Sequence, residues 1–159
     1  MDRTTSHLHQ WMQLAIEQAR ESGVDIPVGC VIIHEGEIVG RGYNLREKTL
    51  DPTAHAEIVA IRQAAETLGR WRLSACTLVT TLEPCAMCAE AIIQARVEEL
   101  VFGAYDLKSG ACGSRFNLFT PDRIYPIPNV IGGIDEEICK GLIEEYFKKS
   151  VRNSKNGQQ

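Results

Sequence analysis

The order in which helical and strand-like patterns follow one another places the strongest constraint on the fold of this chain. Apolar residues at helical spacing predict a first helix that stops near Gly23. Two β-type runs, at residues 28–33 and 37–43, flank Glu35-Gly36 and predict a hairpin. Helices and strands then alternate up to a final helix that is expected from about Asp135. This order predicts an α/β protein, a three-layer α/β/α sandwich with a mixed sheet of about five strands.

The helix predicted to end at Gly69 contains two residues suited to metal and acid–base chemistry. Thr53 can cap its start, because a threonine hydroxyl can accept a hydrogen bond from an amide of the first turn. His55 and Glu57 then lie in that first turn. The amides and the dipole at a helix start disfavour the charged imidazolium, so His55 is expected to offer a neutral nitrogen to a metal ion.

Cys85 and Cys88 are predicted to open the following helix. A strand over residues 76–81 precedes them, and Pro84 suits the first position of the helix. The spacing of three residues puts both sulfurs on one side of the helix, one turn apart. A helix start also favours the thiolate, which is the form of cysteine that binds zinc.

Together, His55, Cys85 and Cys88 predict one zinc ion per chain. Three protein ligands leave one position for water, which is typical of catalytic rather than structural zinc. Zinc lowers the pKa of that water toward neutrality and so supplies a nucleophile. Glu57 lies two residues beyond His55 and is not needed as a ligand. It can therefore take the proton of the water and pass it to a departing amino group.

The remaining cysteines and some alternatives bear on this interpretation. Cys30, Cys76 and Cys139 lie among apolar residues and are expected in the core, where a free thiol packs as a small apolar group. Cys112 lies in a glycine-containing loop, and its role is left open. A Cys-x-x-Cys pair alone is also typical of redox pairs and of structural zinc sites. A structural site would need a fourth ligand, for which Cys112 and His34 are available.

The two motifs occur together, as His55-Ala56-Glu57 and Pro84-Cys85-Ala86-Met87-Cys88 with a strand between them, and this combination matches the signature of zinc-dependent nucleobase deaminases. Over nearly its whole length the chain resembles the bacterial tRNA-specific adenosine deaminases of the zinc-dependent cytidine and deoxycytidylate deaminase superfamily. The segments that carry the resemblance are Ile26-Pro27-Val28-Gly29, Asp51-Pro52-Thr53-Ala54-His55-Ala56-Glu57, Thr81-Leu82-Glu83-Pro84-Cys85-Ala86-Met87-Cys88 and Val101-Phe102-Gly103-Ala104, with Asp106, Lys108 and Gly110 beyond them.

This resemblance implies a cytidine-deaminase-like fold, a homodimer, and conversion of adenosine to inosine at the wobble position of a tRNA anticodon. It carries over the three zinc ligands and the proton-transferring Glu57. It also implies substrate contacts by Val28, Asn44, Asp106 and Lys108. On the sequence alone, Asn44 fits a turn residue at the end of the hairpin equally well, and Asp106 and Lys108 fit a solvated loop.

Positive charge concentrates at the end of a chain whose net charge is −4. Residues 148–159 include four basic residues and no acidic one, and a solvated, fraying end is the plain interpretation. The resemblance instead implies RNA contact by an aromatic and basic ending, which here comprises Tyr146, Phe147, Lys148, Lys149 and Arg152. Residues 1–150 are expected to form a single deaminase domain, and residues 151–159 a short, flexible basic tail.

The runner-up function is deamination of a free base or nucleoside, such as guanine or cytosine, because related enzymes share both motifs. The basic ending favours tRNA, since an enzyme that acts on an anticodon arm must bind phosphates on both sides of its target. A non-catalytic, zinc-stabilised RNA-binding subunit is disfavoured by the presence of Glu57. One segment departs from the tRNA-deaminase pattern: members typically carry an Asn-His pair shortly before the last strand, where this chain reads Asp122-Arg123-Ile124-Tyr125-Pro126-Ile127-Pro128-Asn129.

Hydropathy and the N-terminal residues bear on location. No apolar run approaches the roughly 20 residues that a membrane helix needs. The N-terminus lacks a basic region followed by an apolar one, the pattern of a secretory signal. We therefore expect a cytoplasmic protein that does not associate with membranes.

Overall fold

A computed structural model describes residues 3–157, so residues 1 and 2 of the predicted domain and residues 158 and 159 of the predicted tail lie outside the described residues. The helices and strands are α1 (Arg3–Ala19), β1 (Gly29–His34), β2 (Glu37–Tyr43), α2 (Arg46–Thr49), α3 (Ala56–Leu68), β3 (Cys76–Leu82), α4 (Ala86–Gln94), β4 (Glu99–Ala104), β5 (Asn129–Ile131) and α5 (Glu136–Asn156). A short 3₁₀ turn, Arg20–Ser22, follows α1.

The strands form one mixed sheet in the order β2-β1-β3-β4-β5. Strand β1 is antiparallel to both of its neighbours, β2 and β3, whereas β3, β4 and β5 run parallel. Helices α3 and α4 pack on one face of the sheet, and α1 and α5 pack on the other. The predicted three-layer α/β/α sandwich with a mixed five-stranded sheet is confirmed.

Alternation of side chains along β1 separates the two halves of the core. Cys30 and Ile32 contribute to the cluster under α3 and α4, and Val31 and Ile33 contribute to the cluster under α1 and α5. Successive residues of a strand point to opposite faces of a sheet, so a strand covered by helices on both sides is apolar throughout. Cys30, Cys76 and Cys139 are buried as predicted.

The turn at Gly36 and the helix stop at Gly23, both of which the sequence predicts, are confirmed. Glu35 and Gly36 both have positive φ, at 51° and 77°. Two such residues are what a type I′ turn requires between antiparallel strands, so the predicted hairpin forms there. Gly23, with φ at 64°, follows the 3₁₀ turn that ends the first helical segment.

The two central helices begin later in the chain than the sequence predicts. Thr53 does not cap α3, because its hydroxyl hydrogen-bonds to the Asp51 carboxylate at 2.7 Å and the N-cap is His55. Pro84 is not the first residue of α4, whose N-cap is Cys85. An Asp two residues before Thr53 competes for its hydroxyl, and this local competition is common for threonine.

The final helix extends further than the predicted domain boundary at residue 150. Helix α5 has Asp135 as its N-cap and continues to Asn156. Residues 151–156, which the sequence assigned to a tail, are therefore part of this helix. Across residues 3–157, no helix combines the length and the apolar character that crossing a membrane requires.

We expect that Gly42→Ala destabilises the fold, because strand β2 lies very close to α3. A Cβ at position 42 would meet the carbonyl oxygen of Ala56 at 2.3 Å and the amide nitrogen of Ala60 at 2.7 Å. Overpacking of this kind costs about 1–3 kcal/mol. Denaturant unfolding should show this loss, whereas Gly141→Ala in α5, which has open space at its Cβ, should leave stability unchanged or raise it by up to about 1 kcal/mol. Equal stability of the two variants would contradict this packing.

Candidate metal centre and active site

The starts of α3 and α4 bring three metal-ligating atoms together. His55 is the N-cap of α3, Cys85 is the N-cap of α4, and Cys88 lies in the first turn of α4. The Nδ1 atom of His55 lies 3.7 Å from Sγ of Cys85 and 3.6 Å from Sγ of Cys88. All three ligand atoms lie within 4.8 Å of one another. The predicted ligand set is therefore assembled in space.

These separations fit zinc. With Zn–S distances of about 2.3 Å and Zn–N distances of about 2.0–2.1 Å, tetrahedral angles place sulfur and nitrogen about 3.5 Å apart. The observed distances from His55 to the two cysteines match this value. Among residues 3–157, only His55, Cys85 and Cys88 form such a group. Neither Cys112 nor His34 provides the fourth ligand that the structural alternative needs, so the geometry is that of a catalytic site.

Hydrogen bonds within the group set its protonation. The bond from the Cys88 thiol lowers the pKa of Cys85 to about 4. The same bond, together with burial, raises the pKa of Cys88, and a hydrogen bond with Cys85 raises the pKa of His55. The raised pKa of His55 runs against the expectation that the helix start disfavours the imidazolium, because the hydrogen bond with Cys85 acts in the opposite direction. Zinc binding requires the deprotonated form of all three groups.

Glu57 lies beside the ligands without belonging to their group. It is the second residue of α3, its side chain is buried with 4% exposure, and it lines the same pocket as His55 and Cys85. The hydroxyl of Thr80, in β3, donates to its Oε1 at 3.2 Å. Burial raises the pKa of Glu57. A buried carboxyl group at this position is suited to accept and return a proton.

Asn44 provides the cap that His55 does not provide. No side-chain hydrogen bond from His55 caps α3. Instead, Oδ1 of Asn44 accepts from the amide of Ala56 at 2.9 Å, and its Nδ2 donates to the carbonyl of Ile26 at 2.8 Å. The imidazole of His55 is thereby left free to face the cysteines, and the helix start is joined to the segment before β1.

A pocket opens onto two of the three ligands, His55 and Cys85, and onto Glu57, while Cys88 is buried behind them. Besides His55, Glu57 and Cys85, its lining comprises Ile26, Val28, Asn44, Arg46, Leu82, Glu83, Asp106 and Ser109. Three of the four predicted substrate residues, Val28, Asn44 and Asp106, are therefore brought to the pocket. Lys108 is not; it lies in an adjoining groove between the 105–109 loop and α5, which shares Asp106 with the pocket.

Three residues of the pocket wall have no role predicted from the sequence: Arg46, Glu83 and Ser109. Of these, only Glu83 lies in a segment that carries the family resemblance. The guanidinium of Arg46 donates to the Asp25 carboxylate through Nε at 3.0 Å and Nη2 at 2.6 Å. Burial alone would raise the pKa of Asp25, but hydrogen bonds from Arg46 and from two backbone amides lower it instead. Asp25, which lies directly before the Ile26-Pro27 run that carries part of the resemblance, was the available signal for this contact.

The aromatic and basic ending is divided between two sides of α5. The Tyr146 hydroxyl donates to the carbonyl of Val24 at 3.1 Å, and Lys149 pairs with Glu145 at 3.3 Å. Phe147, in contrast, is half exposed and lines the groove that contains Lys108. It also shares an open surface with Lys148 and Arg152. The five predicted RNA contacts therefore do not form one surface.

The segment that departs from the tRNA-deaminase pattern is held against α4 and the residues that follow it. Arg123 forms an ion pair with Glu90, and the guanidinium of Arg96 stacks 3.9 Å above the ring of Tyr125. Arg123 and Tyr125 therefore already have partners within the chain. The segment ends at Asn129, where β5 begins to pair with β4 at Glu99.

We expect that Cys88→Ser removes most of the bound zinc, whereas Cys112→Ser retains it. Cys88 contributes one of three ligand atoms, and Cys112 contributes none of them. Metal analysis of purified protein should give about one ion per chain for the wild type and for the Cys112 variant. A comparable loss of zinc in both variants would instead support a structural site with Cys112 as the fourth ligand.

Comparisons with known proteins agree with this geometry. Residues 5–104 match the family described as the cytidine and deoxycytidylate deaminase zinc-binding region. A tRNA-specific adenosine deaminase of Bacillus subtilis is 41% identical over 147 residues, which cover 91% of this chain and 91% of that protein. A structure from a study of A-to-I editing by tRNA:A34 deaminases at the wobble position aligns with a TM-score of 0.81 and 39% identity, covering 84% of this chain and 98% of the other. The guanine deaminase of Bacillus subtilis aligns less well, with a TM-score of 0.61 and 32% identity over 82% of this chain and 87% of the other. The chain therefore belongs to the zinc-binding cytidine and deoxycytidylate deaminase family, in the group of the tRNA-specific adenosine deaminases.

Proposed function

We propose that this chain converts adenosine at the wobble position of a tRNA anticodon to inosine, consuming water and releasing ammonia. The observation that carries the proposal is a three-ligand metal centre with a buried Glu57, at a pocket that adjoins a groove reaching Phe147. The similarity to tRNA-specific adenosine deaminases supports the choice of substrate.

The residues of the site have separate roles in the reaction: metal binding, proton transfer and orientation of the proton-transferring group. His55, Cys85 and Cys88 would hold a zinc ion, which would supply an activated water molecule as nucleophile near neutral pH. Glu57 accepts the proton of the water and delivers it to the departing amino group. Thr80 donates to Oε1 of Glu57 and thereby orients the carboxyl group.

The base is held by the opposite wall of the pocket in this proposal. Val28 supplies an apolar contact surface that is itself buried. Asn44 can use the second hydrogen of Nδ2 and the second lone pair of Oδ1, since each atom makes one hydrogen bond within the chain. Asp106 is oriented by its own loop, because its carboxylate accepts from the amides of Lys108 and Ser109.

An RNA substrate accounts for the groove beyond the pocket. The groove begins at Asp106 and Ser109, which it shares with the pocket, and passes Lys108 before it reaches Phe147. An exposed aromatic ring gives an unpaired base a surface for stacking, and lysines neutralise phosphates. Lys148 and Arg152 continue the same side of α5. A free base would contact only the pocket.

The second candidate is a free purine base such as guanine, and the similarity to a guanine deaminase supports it. The metal chemistry is the same in both cases.

We also propose that the chain acts in the cytoplasm and as a homodimer, as the resemblance to the tRNA deaminases implies.

We expect the wild type to deaminate a tRNA anticodon stem-loop and to form inosine and ammonia in equal amounts. It should release no ammonia from free guanine, cytosine or adenosine. Glu57→Gln should bind zinc and tRNA as the wild type does, while its turnover falls by at least about 100-fold because proton transfer is lost. Release from a free base but not from RNA would replace the proposed substrate. Full activity of the Glu57 variant would exclude its role in proton transfer.

We expect that Lys148→Ser weakens tRNA binding and lowers the dependence of the binding constant on salt by about one phosphate contact. Arg72→Ser is the matched control. It removes the same charge near the start of β3, away from the pocket, where Arg72 stacks on Trp71 at 4.4 Å. Binding measured over a series of salt concentrations should separate the two variants. An unchanged slope for the Lys148 variant would exclude this part of α5 as an RNA contact.

A further inference from the structure

A buried carboxylate between β3 and α4 lies outside the chemistry described above. Glu83 follows the last residue of β3 and precedes Pro84 and the zinc ligand Cys85. It is only 2% exposed. Within the described residues, none of the ion pairs involves it. Burial of a carboxylate is costly unless hydrogen bonds compensate it, so the identity of its partners is informative.

All of these partners come from one loop. Oε1 of Glu83 accepts from the amide of Asp106 at 3.2 Å and from the hydroxyl of Ser114. Oε2 accepts from the amide of Cys112 at 3.0 Å and from the amide of Ser114 at 3.1 Å. Residues 106, 112 and 114 thus converge on a single carboxylate, which satisfies three backbone amides that the turns of this loop leave without a backbone acceptor.

The loop folds tightly around this carboxylate. A Cβ at Gly110 would lie 2.5 Å from the Glu83 carboxylate and 2.5 Å from the carbonyl oxygen of Asp106. The amide of Ala111 donates to the carbonyl of Pro84 at 2.8 Å, and Gly110 forms a bridge with Cys85. The loop is therefore attached to the residues that flank the metal ligand as well as to Glu83.

The same loop forms one wall of the pocket. Asp106 and Ser109 line the pocket, and Lys108 lines the adjoining groove. The Asp106 carboxylate accepts from the amides of Lys108 and Ser109, so these three residues are joined to one another by hydrogen bonds. Because the Asp106 amide is itself bound to Glu83, the position of this wall depends on that carboxylate.

We propose that Glu83 is a positioning residue for the deamination: it holds the 106–109 wall at a fixed place relative to the metal ligand Cys85, two residues away. The proposal rests on the proposed function only in that the wall contacts the substrate. Glu83 does not touch the reacting atoms and holds no metal. Its loss should therefore impair substrate binding, while the zinc centre remains loaded.

Glu83→Gln is the direct test, because glutamine keeps the shape but has one acceptor oxygen where glutamate has two. The NH₂ group of glutamine would replace one of the two carboxylate oxygens and would face N–H or O–H donors. The pair of hydrogen bonds that this oxygen accepts in the wild type would therefore be lost. Loss of a hydrogen bond to a charged group predicts a decrease of roughly 10- to 100-fold in kcat/KM, mainly through a higher KM. Zinc content should stay at the wild-type level. Hydrogen exchange should accelerate at the amides of residues 106, 112 and 114, but not in β3 or β4.

A rise in KM separates positioning from a general loss of folded enzyme, which lowers the apparent kcat and leaves KM unchanged. Glu90→Gln is the matched control. It makes the same chemical change on α4, at a carboxylate that pairs with Arg123 rather than with the loop, and should leave both constants unchanged. Ser114→Ala removes only the hydroxyl donor to Glu83 and should raise KM by a smaller factor, so it provides the test if the Glu83 variant does not fold.

The kinetics use whichever substrate the wild type deaminates, so an incorrect substrate assignment appears in the wild type and leaves this test intact. A folded, zinc-loaded Glu83→Gln variant with wild-type KM would overturn the proposal. Loss of zinc in that variant would also overturn it, because Glu83 would then act on the metal centre. If only the Ser114 variant can be purified, a wild-type KM for that variant overturns it.

Discussion

The convergence of two helix starts at one end of the sheet is the constraint on which the site depends. His55 begins α3, and Cys85 and Cys88 begin α4, with β3 as the connecting strand between the helices. Hydrogen bonding between the groups at these helix starts lowers the pKa of Cys85 and raises the pKa of His55. The first turns of α3 approach Gly42 of β2 so closely that a Cβ at position 42 would clash with the backbone of Ala56 and Ala60. The metal geometry is therefore a consequence of how α3 and α4 pack on the sheet.

Buried polar side chains join the segments of the chain that form the pocket wall. Asn44 joins the start of α3 to the segment before β1. Asp25 holds Arg46 at the pocket wall, and Glu83 gathers the loop on the other side. Each of these groups satisfies donors from a separate segment of the chain. A buried polar group that binds only in one geometry restricts that segment more precisely than apolar packing does.

The end of the chain shows how one helix can serve both structure and recognition. Tyr146 and Lys149 make contacts within the chain, whereas Phe147, Lys148 and Arg152 remain available on another side of α5. The metal chemistry is common to deaminases of different substrates. The discrimination between a base in RNA and a free base must therefore arise at the groove and along this side of α5.

The sequence alone was sufficient for the order of the strands and of the longer helices, for the buried cysteines and for the metal ligands, but not for the short helix α2. These features follow from periodicity and from short spacings, such as the three residues between Cys85 and Cys88, which a helix converts directly into proximity. The cap of α3, the burial of Glu83 and the separation of Lys108 from the pocket could not be read in this way. The first two depend on which of several partners a polar group meets, and those partners lie 12 or more residues away in the chain, as Asn44 does from Ala56 and Asp106 from Glu83. The place of Lys108 depends on how its loop lies against α5. Only the packing of the sheet, its helices and the loops brings such residues within hydrogen-bond distance.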